Sequence, residues 1–264
     1  MKEIKASQLY SYLNDLFPQS LAAEGDRVGF QIPEVFNLQS QDLIRNAVIC
    51  LDVTKEVIDY AIEKRSNLII SRHPFIFNDY EVEFENEAKK KSYDRLVENE
   101  IQVFSIHTNY DSSEHQVIEK LLESELNIKE SQTLESEKEV KSISLFDEIE
   151  LGKLADKVKF IFGSVSAKMS RNVNVEETIK KFYICSGAGA SFMSHAHLTN
   201  TTFITGEAKG NEFIYAVENN VNLITIGHYM ENYFIDDIHT KLTKTFNDEL
   251  DCFAFDIKNM GINR

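Results

Sequence analysis

The sequence has little that punctuates or crosslinks a chain. Three prolines and ten glycines occur in 264 residues, so sharp turns are confined to a few positions. The three cysteines, Cys50, Cys185 and Cys252, are an odd number without motif spacing. Cys50 and Cys185 lie inside apolar strand-like runs, which marks them as reduced core residues rather than ligands or nucleophiles. No apolar run reaches the ~18 residues needed to cross a bilayer. The N-terminal stretch MKEIKASQLYSYLNDLF lacks a secretory apolar core, so the expectation is a cytoplasmic protein with no membrane partner. Positive charge is also scarce: Lys and Arg number 28 against 43 Asp and Glu, a net charge of −15. That balance argues against nucleic acid binding over the bulk surface and leaves open only a local basic groove.

What is present is a globular composition. Apolar residues make up 42%, with 18 Phe and 10 Tyr, enough for one large domain or two modest ones. β-rich apolar runs alternate with helical patterns. A helix is expected over 6–17, strands over 46–53, 67–70 and 101–106, and helices between them, the first capped by Thr54. Further strands end in the runs CSGAGAS, TGEAKG and IGHYMEN, before a helix over 233–247 and a last strand CFAFDI. The alternation predicts an α/β protein with mostly parallel sheets. Residues 127–142, NIKESQTLESEKEVKS, carry almost nothing that builds a core. They read as an exposed linker or excursion between an N-terminal α/β lobe (1–126) and a C-terminal one (143–264), whose last segment has the option of packing back on the first.

The histidines carry the chemistry. His73 follows one strand, His107 another with Asp111 four residues later, and His228 a third with Glu231 three residues later. Ligands of an open parallel sheet gather outside the carboxyl ends of its strands. Imidazole nitrogen mixed with carboxylate oxygen there suits Zn²⁺, Mn²⁺ or Fe²⁺. Each residue alone also has a plainer reading: a histidine capping a strand end, Asp111 capping a helix, Glu231 in a first helical turn. Ser186 and Gly187, in SGAGAS, belong to a turn able either to cradle a phosphate with backbone N–H groups or to pack closely. Thr205 and Glu207, in TGEAKG, either line the same site or start a helix.

The ordered segments DRVGFQIP, CLDVTKEVIDYAIEKRSNLIISRHPFIF, SIHTNYDSS, CSGAGASF and TFITGEAKGNEFIYAVENNVNLITIGHYMEN resemble the NGG-interacting-factor-like family, the GTP cyclohydrolase 1 type 2 homologues. The resemblance runs from about residue 22 to 235. It implies two α/β lobes with a metal-binding cleft between them, a ring-shaped homohexamer and a two-metal site. Carried over by motif, it gives the metal-ligand places to His73, Asp111, His228 and Glu231. It turns His107 toward the cleft, where an imidazole serves as general acid or base. The chain departs from the family at SRHPFIF, where the family commonly has SHHPLIF. Arg72 therefore stands in the place of a metal histidine, and a guanidinium has no lone pair for a metal. One divalent metal per chain rather than two is the resulting expectation.

Two functions follow. One is a metal-dependent, hydrolase-like protein that uses metal-activated water on a small, nucleotide-like substrate, with Arg72 and the SGAGAS turn as local anion contacts. The other is a ring-forming binding or regulatory protein whose metal is structural or sensory. The spacing of the strand-end residues does not choose between them.

Overall fold

A computed structural model of the chain describes residues 3–36, 42–135 and 137–256. They fall into two compact units, one of Met1–His115 with Asn232–Arg264, the other of Gln116–Glu231. The chain thus leaves the first unit, builds the second and returns.

The strands of the first unit are β1 (Ile4–Lys5), β2 (Gly29–Phe30), β3 (Leu43–Ile44), β4 (Asn46–Cys50), β5 (Leu68–Ser71), β6 (Gln102–Ser105) and, after the return, β13 (Asp251–Phe255). Five of them form a sheet in the order β13-β4-β5-β6-β2. The first four are mutually parallel, and β2 runs antiparallel to β6. The apolar runs explain the parallel core. LIIS and QVFS are buried at every position, and NAVIC at all but Asn46, as expected of strands covered on both faces. The covering helices show helical periodicity. Val57, Ile58 and Ala61 are the buried stripe of Lys55–Glu63, which Thr54 caps by accepting the Val57 N–H. Phe234, Ile235, Ile238 and Leu242 are the buried stripe of Tyr233–Phe246.

The second unit contains β7 (Ile128–Thr133), β8 (Lys141–Glu150), β9 (Lys168–Met169), β10 (Thr178–Ile184), β11 (Thr201–Thr205) and β12 (Val221–Thr225). They form one sheet in the order β7-β8-β10-β11-β12-β9. Only β10, β11 and β12 are parallel; β7, β8 and β9 join antiparallel. The α/β class holds, with a parallel sheet in the first unit and a mixed one in the second.

The stretch 127–142, expected as an exposed linker or excursion, contains β7 and the turn into β8. Its polar composition has a structural cause. β7 is an outermost strand, and four of its six residues are exposed, so it needs few apolar side chains. The final strand spans Asp251–Phe255; Ile257, at the end of the run expected as a strand, lies outside the described residues.

Candidate metal centre

In the first unit the chemistry sits where β4, β5 and β6 end. Past β4 comes Asp52; past β5 come Arg72 and His73; past β6 comes His107. The backbone beyond β5 stays paired with the end of β4, since the Arg72 and His73 N–H groups donate to the carbonyls of Cys50 and Leu51 at 3.1 and 3.0 Å. The Ser71 hydroxyl donates to the His73 carbonyl at 2.7 Å and also meets the Ser105 hydroxyl at 2.8 Å. These bonds fix the turn before Pro74, so His73 leaves the sheet in a defined direction. Its Nδ1 lies 2.8 Å from Asp52 Oδ1.

His107 has a carboxylate of its own. Its Nδ1 lies 2.9 and 3.0 Å from the two oxygens of Asp26, which also accepts the Thr108 N–H at 3.2 Å and the Thr108 hydroxyl. Burial pushes the Asp26 carboxyl up. The bonds and charge of His107 and the two donors of Thr108 outweigh that and hold it below its ordinary value. An ionised carboxylate only accepts. Nδ1 therefore carries a proton, and Nε2 is the ring nitrogen through which a proton would be exchanged. The rings of His107 and His73 meet edge to face, with centroids 5.4 Å apart.

Arg72 turns the other way. Its side chain is 1% exposed and donates to Asp111 Oδ2 at 2.5 Å, Asp111 being 8% exposed. It also donates to the His107 carbonyl. Asp111 thus faces a guanidinium. Cys50 behaves as expected of a core thiol: burial, then the charge of Asp52, pushes its pKa well up.

In the second unit β10, β11 and β12 deliver Ser186–Gly187, Glu207 and His228. His228 Nδ1 lies 3.3 Å from Glu207 Oε2. Glu231 is 2% exposed and packs against Gly187. Gly187 has φ +62°, and a Cβ there would lie 2.9 Å from Glu231 Oε2. The SGAGAS turn is used largely for packing. The Gly189 N–H donates to the Thr205 hydroxyl at 3.1 Å, and that hydroxyl donates to the Gly187 carbonyl at 2.8 Å. The same carbonyl accepts the N–H groups of Gly206 and Glu207.

In the first unit Asp52 and His73 set a carboxylate beside an imidazole, donor types suited to a metal ion, and in the second unit Glu207 and His228 do the same. Strand-end position had singled out both histidines but neither Asp52 nor Asp26. Asp52 hides at the end of the apolar run AVICLDV, although it shares the strand edge of His73. Asp26 sits 81 residues from His107 in a loop, and no local pattern joins them. Of the residues given ligand places by resemblance, Asp111 meets Arg72 and Glu231 packs against Gly187.

Comparisons with known proteins agree with this architecture. "GTP cyclohydrolase 1 type 2 homolog" of Mycoplasmopsis pulmonis is 29% identical over 255 residues, covering 94% of this chain and 97% of that protein. The protein of the same name from Clostridium acetobutylicum is 29% identical over 237 residues, covering 86% and 84%. Three solved structures share the fold. Staphylococcus aureus hypothetical protein SA1388 has a TM-score of 0.82 at 23% identity, covering 98% of this chain and 99% of that one. The Bacillus cereus protein related to NIF3 has a TM-score of 0.83 at 18%, covering 99% of both. HcgD from Methanocaldococcus jannaschii has a TM-score of 0.80 at 20%, covering 97% and 99%. The family model Duf34/NIF3 (NGG1p interacting factor 3) matches residues 4–260, and the chain belongs to that family.

Proposed function

We propose that the chain is a divalent-metal-binding, hydrolase-like protein acting on a small molecule. The observation that carries this reading is the pairing of a strand-end imidazole with a carboxylate in each unit, Asp52 with His73 and Glu207 with His228. Carboxylate oxygen beside imidazole nitrogen is donor chemistry that fits Zn²⁺, Mn²⁺ or Fe²⁺. In both pairs the carboxylate lies against Nδ1, leaving Nε2 as the nitrogen that would meet a metal. Such a partner fixes the tautomer and raises the basicity of a metal-ligating imidazole. A cation held there supplies Lewis acidity for a carbonyl, phosphoryl or ring carbon.

The remaining work falls to the protein's own groups. Asp26 keeps the Nδ1 proton on His107, leaving Nε2 to accept a proton and return it to a leaving group. The name carried by the relatives makes a nucleotide the first substrate class to test. Arg72 and the Gly189 N–H are both engaged internally, so neither is offered as a phosphate contact. The test is a panel of nucleotides, phosphoesters and cyclic amides given to metal-loaded protein and to His107→Asn. Turnover that falls by about 10²-fold or more in the variant, with metal retained, is the expected result. Stoichiometric metal without turnover of any compound favours the second reading, a binding or regulatory protein. The buried Arg72–Asp111 pair supports that alternative, because it commits one acidic group of the site to a structural partner.

A further inference from the structure

Arg72 is the bulkiest of the fully buried side chains described. A cation without a titratable proton, enclosed so completely, calls for a reason. Its surroundings supply one. The guanidinium meets Asp111 Oδ2 on one side and the His107 carbonyl on another, with the Ile106 carbonyl at 3.5 Å. Its carbon lies over the Tyr110 ring at 5.5 Å and the Phe234 ring at 6.0 Å. Tyr110 is itself fixed, since its hydroxyl donates to Asp237 Oδ2 at 2.7 Å. Carboxylate, carbonyl dipoles and aromatic faces all favour positive charge. This is a built cation site, and the chain fills it with its own side chain.

A buried carboxylate needs a proton, a metal ion or a fixed cation. Arg72 supplies the third with a group that does not deprotonate. The aromatic and backbone contacts oppose its swinging away. We infer that Arg72 is a built-in counter-ion that occupies Asp111 and excludes a second metal ion, so that the chain holds a single divalent cation. This rests on the metal reading of the strand-end histidines proposed above, and it removes Asp111 from the ligands of that cation.

The experiment is calorimetric titration of chelator-stripped protein with Mn²⁺ and with Zn²⁺, checked by elemental analysis after desalting. Wild type is expected to take one equivalent, and Asp111→Asn the same one with little change in affinity. Arg72→Met leaves Asp111 without its cation and is expected to gain a second, weaker equivalent, which Arg72→Met/Asp111→Asn loses again. If Arg72→Met does not fold, the Asp111→Asn arm still decides. In metal-free protein, melting supplies an independent readout: Arg72→Met should melt well below wild type, and adding Asp111→Asn should restore part of the loss. Two equivalents in wild type, or loss of the cation in Asp111→Asn, overturns this inference while the metal reading stands. Wild type that takes up no cation overturns that reading and this one with it. Equal melting of Arg72→Met and the double variant shows that Arg72 does not neutralise Asp111.

Discussion

The Asp26–His107 pair separates two jobs that a histidine in such a site performs, holding a metal and moving a proton. His107 has both oxygens of Asp26 against Nδ1, whereas the imidazole of His73 faces Asp52. Asp26→Asn is therefore expected to lower turnover while leaving metal content unchanged, read by elemental analysis beside the substrate panel. The same pair has a pH signature. Asp26 is held below its ordinary value of 3.8 in the folded chain, so its stabilising effect is complete above that value and is lost as pH falls through the lower, folded one. The melting difference between wild type and Asp26→Asn should therefore shrink below about pH 4; a difference that grows on acidification would contradict it. Gly187 makes a separate test, because a methyl group there meets the Glu231 carboxylate at a positive φ. Gly187→Ala is expected to destabilise by about 1–3 kcal/mol in denaturant titration. Residue by residue, the site was legible where a histidine ends an apolar run, as at His73 and His228. It was not legible where the partner is distant in sequence, as at Asp26, or masked by apolar neighbours, as at Asp52.

Element by element, legibility followed burial. β4, β5 and β6 are apolar nearly throughout because both faces of their sheet are covered, and their strand character survives in the sequence. β7 and the distal half of β8 are largely exposed. Their polar residues read as linker, and only the pairing of Ile128–Thr133 with β8 shows them to be strand. Helix ends were easier, because a cap is a local chemical event. Thr54 accepts the Val57 N–H at the start of Lys55–Glu63, and that helix follows directly after Asp52 and Val53. Thr54→Ala is expected to cost about 1 kcal/mol of stability. Thr54→Ser, which keeps the acceptor, should cost less; equal loss in both would show that the hydroxyl does not cap the helix.

At the scale of the whole molecule, the chain's return to its first unit was legible as an option rather than as a fact. The apolar run near 252–256 reads as a strand, but its place beside β4 is decided by pairing over about 200 residues of sequence, which no local pattern encodes. The second unit carries Phe160 and Val165 at 74% and 71% exposure. Single exposed apolar side chains are common on protein surfaces and do not by themselves mark an interface. The homo-oligomer implied by the resemblance is a proposal that light scattering tests; a stable 30.3 kDa species at micromolar concentration would contradict it. One divalent metal per chain is expected to depend on His73 and on His228. The most direct test is elemental analysis of protein purified without a histidine tag, as wild type, His73→Ala, His228→Ala and His239→Ala. His239 makes a fair control, since its Nε2 faces the Cys252 carbonyl. About one equivalent is expected in wild type and His239→Ala and little in the other two, whereas the same metal content in all four proteins would show that these histidines do not hold it.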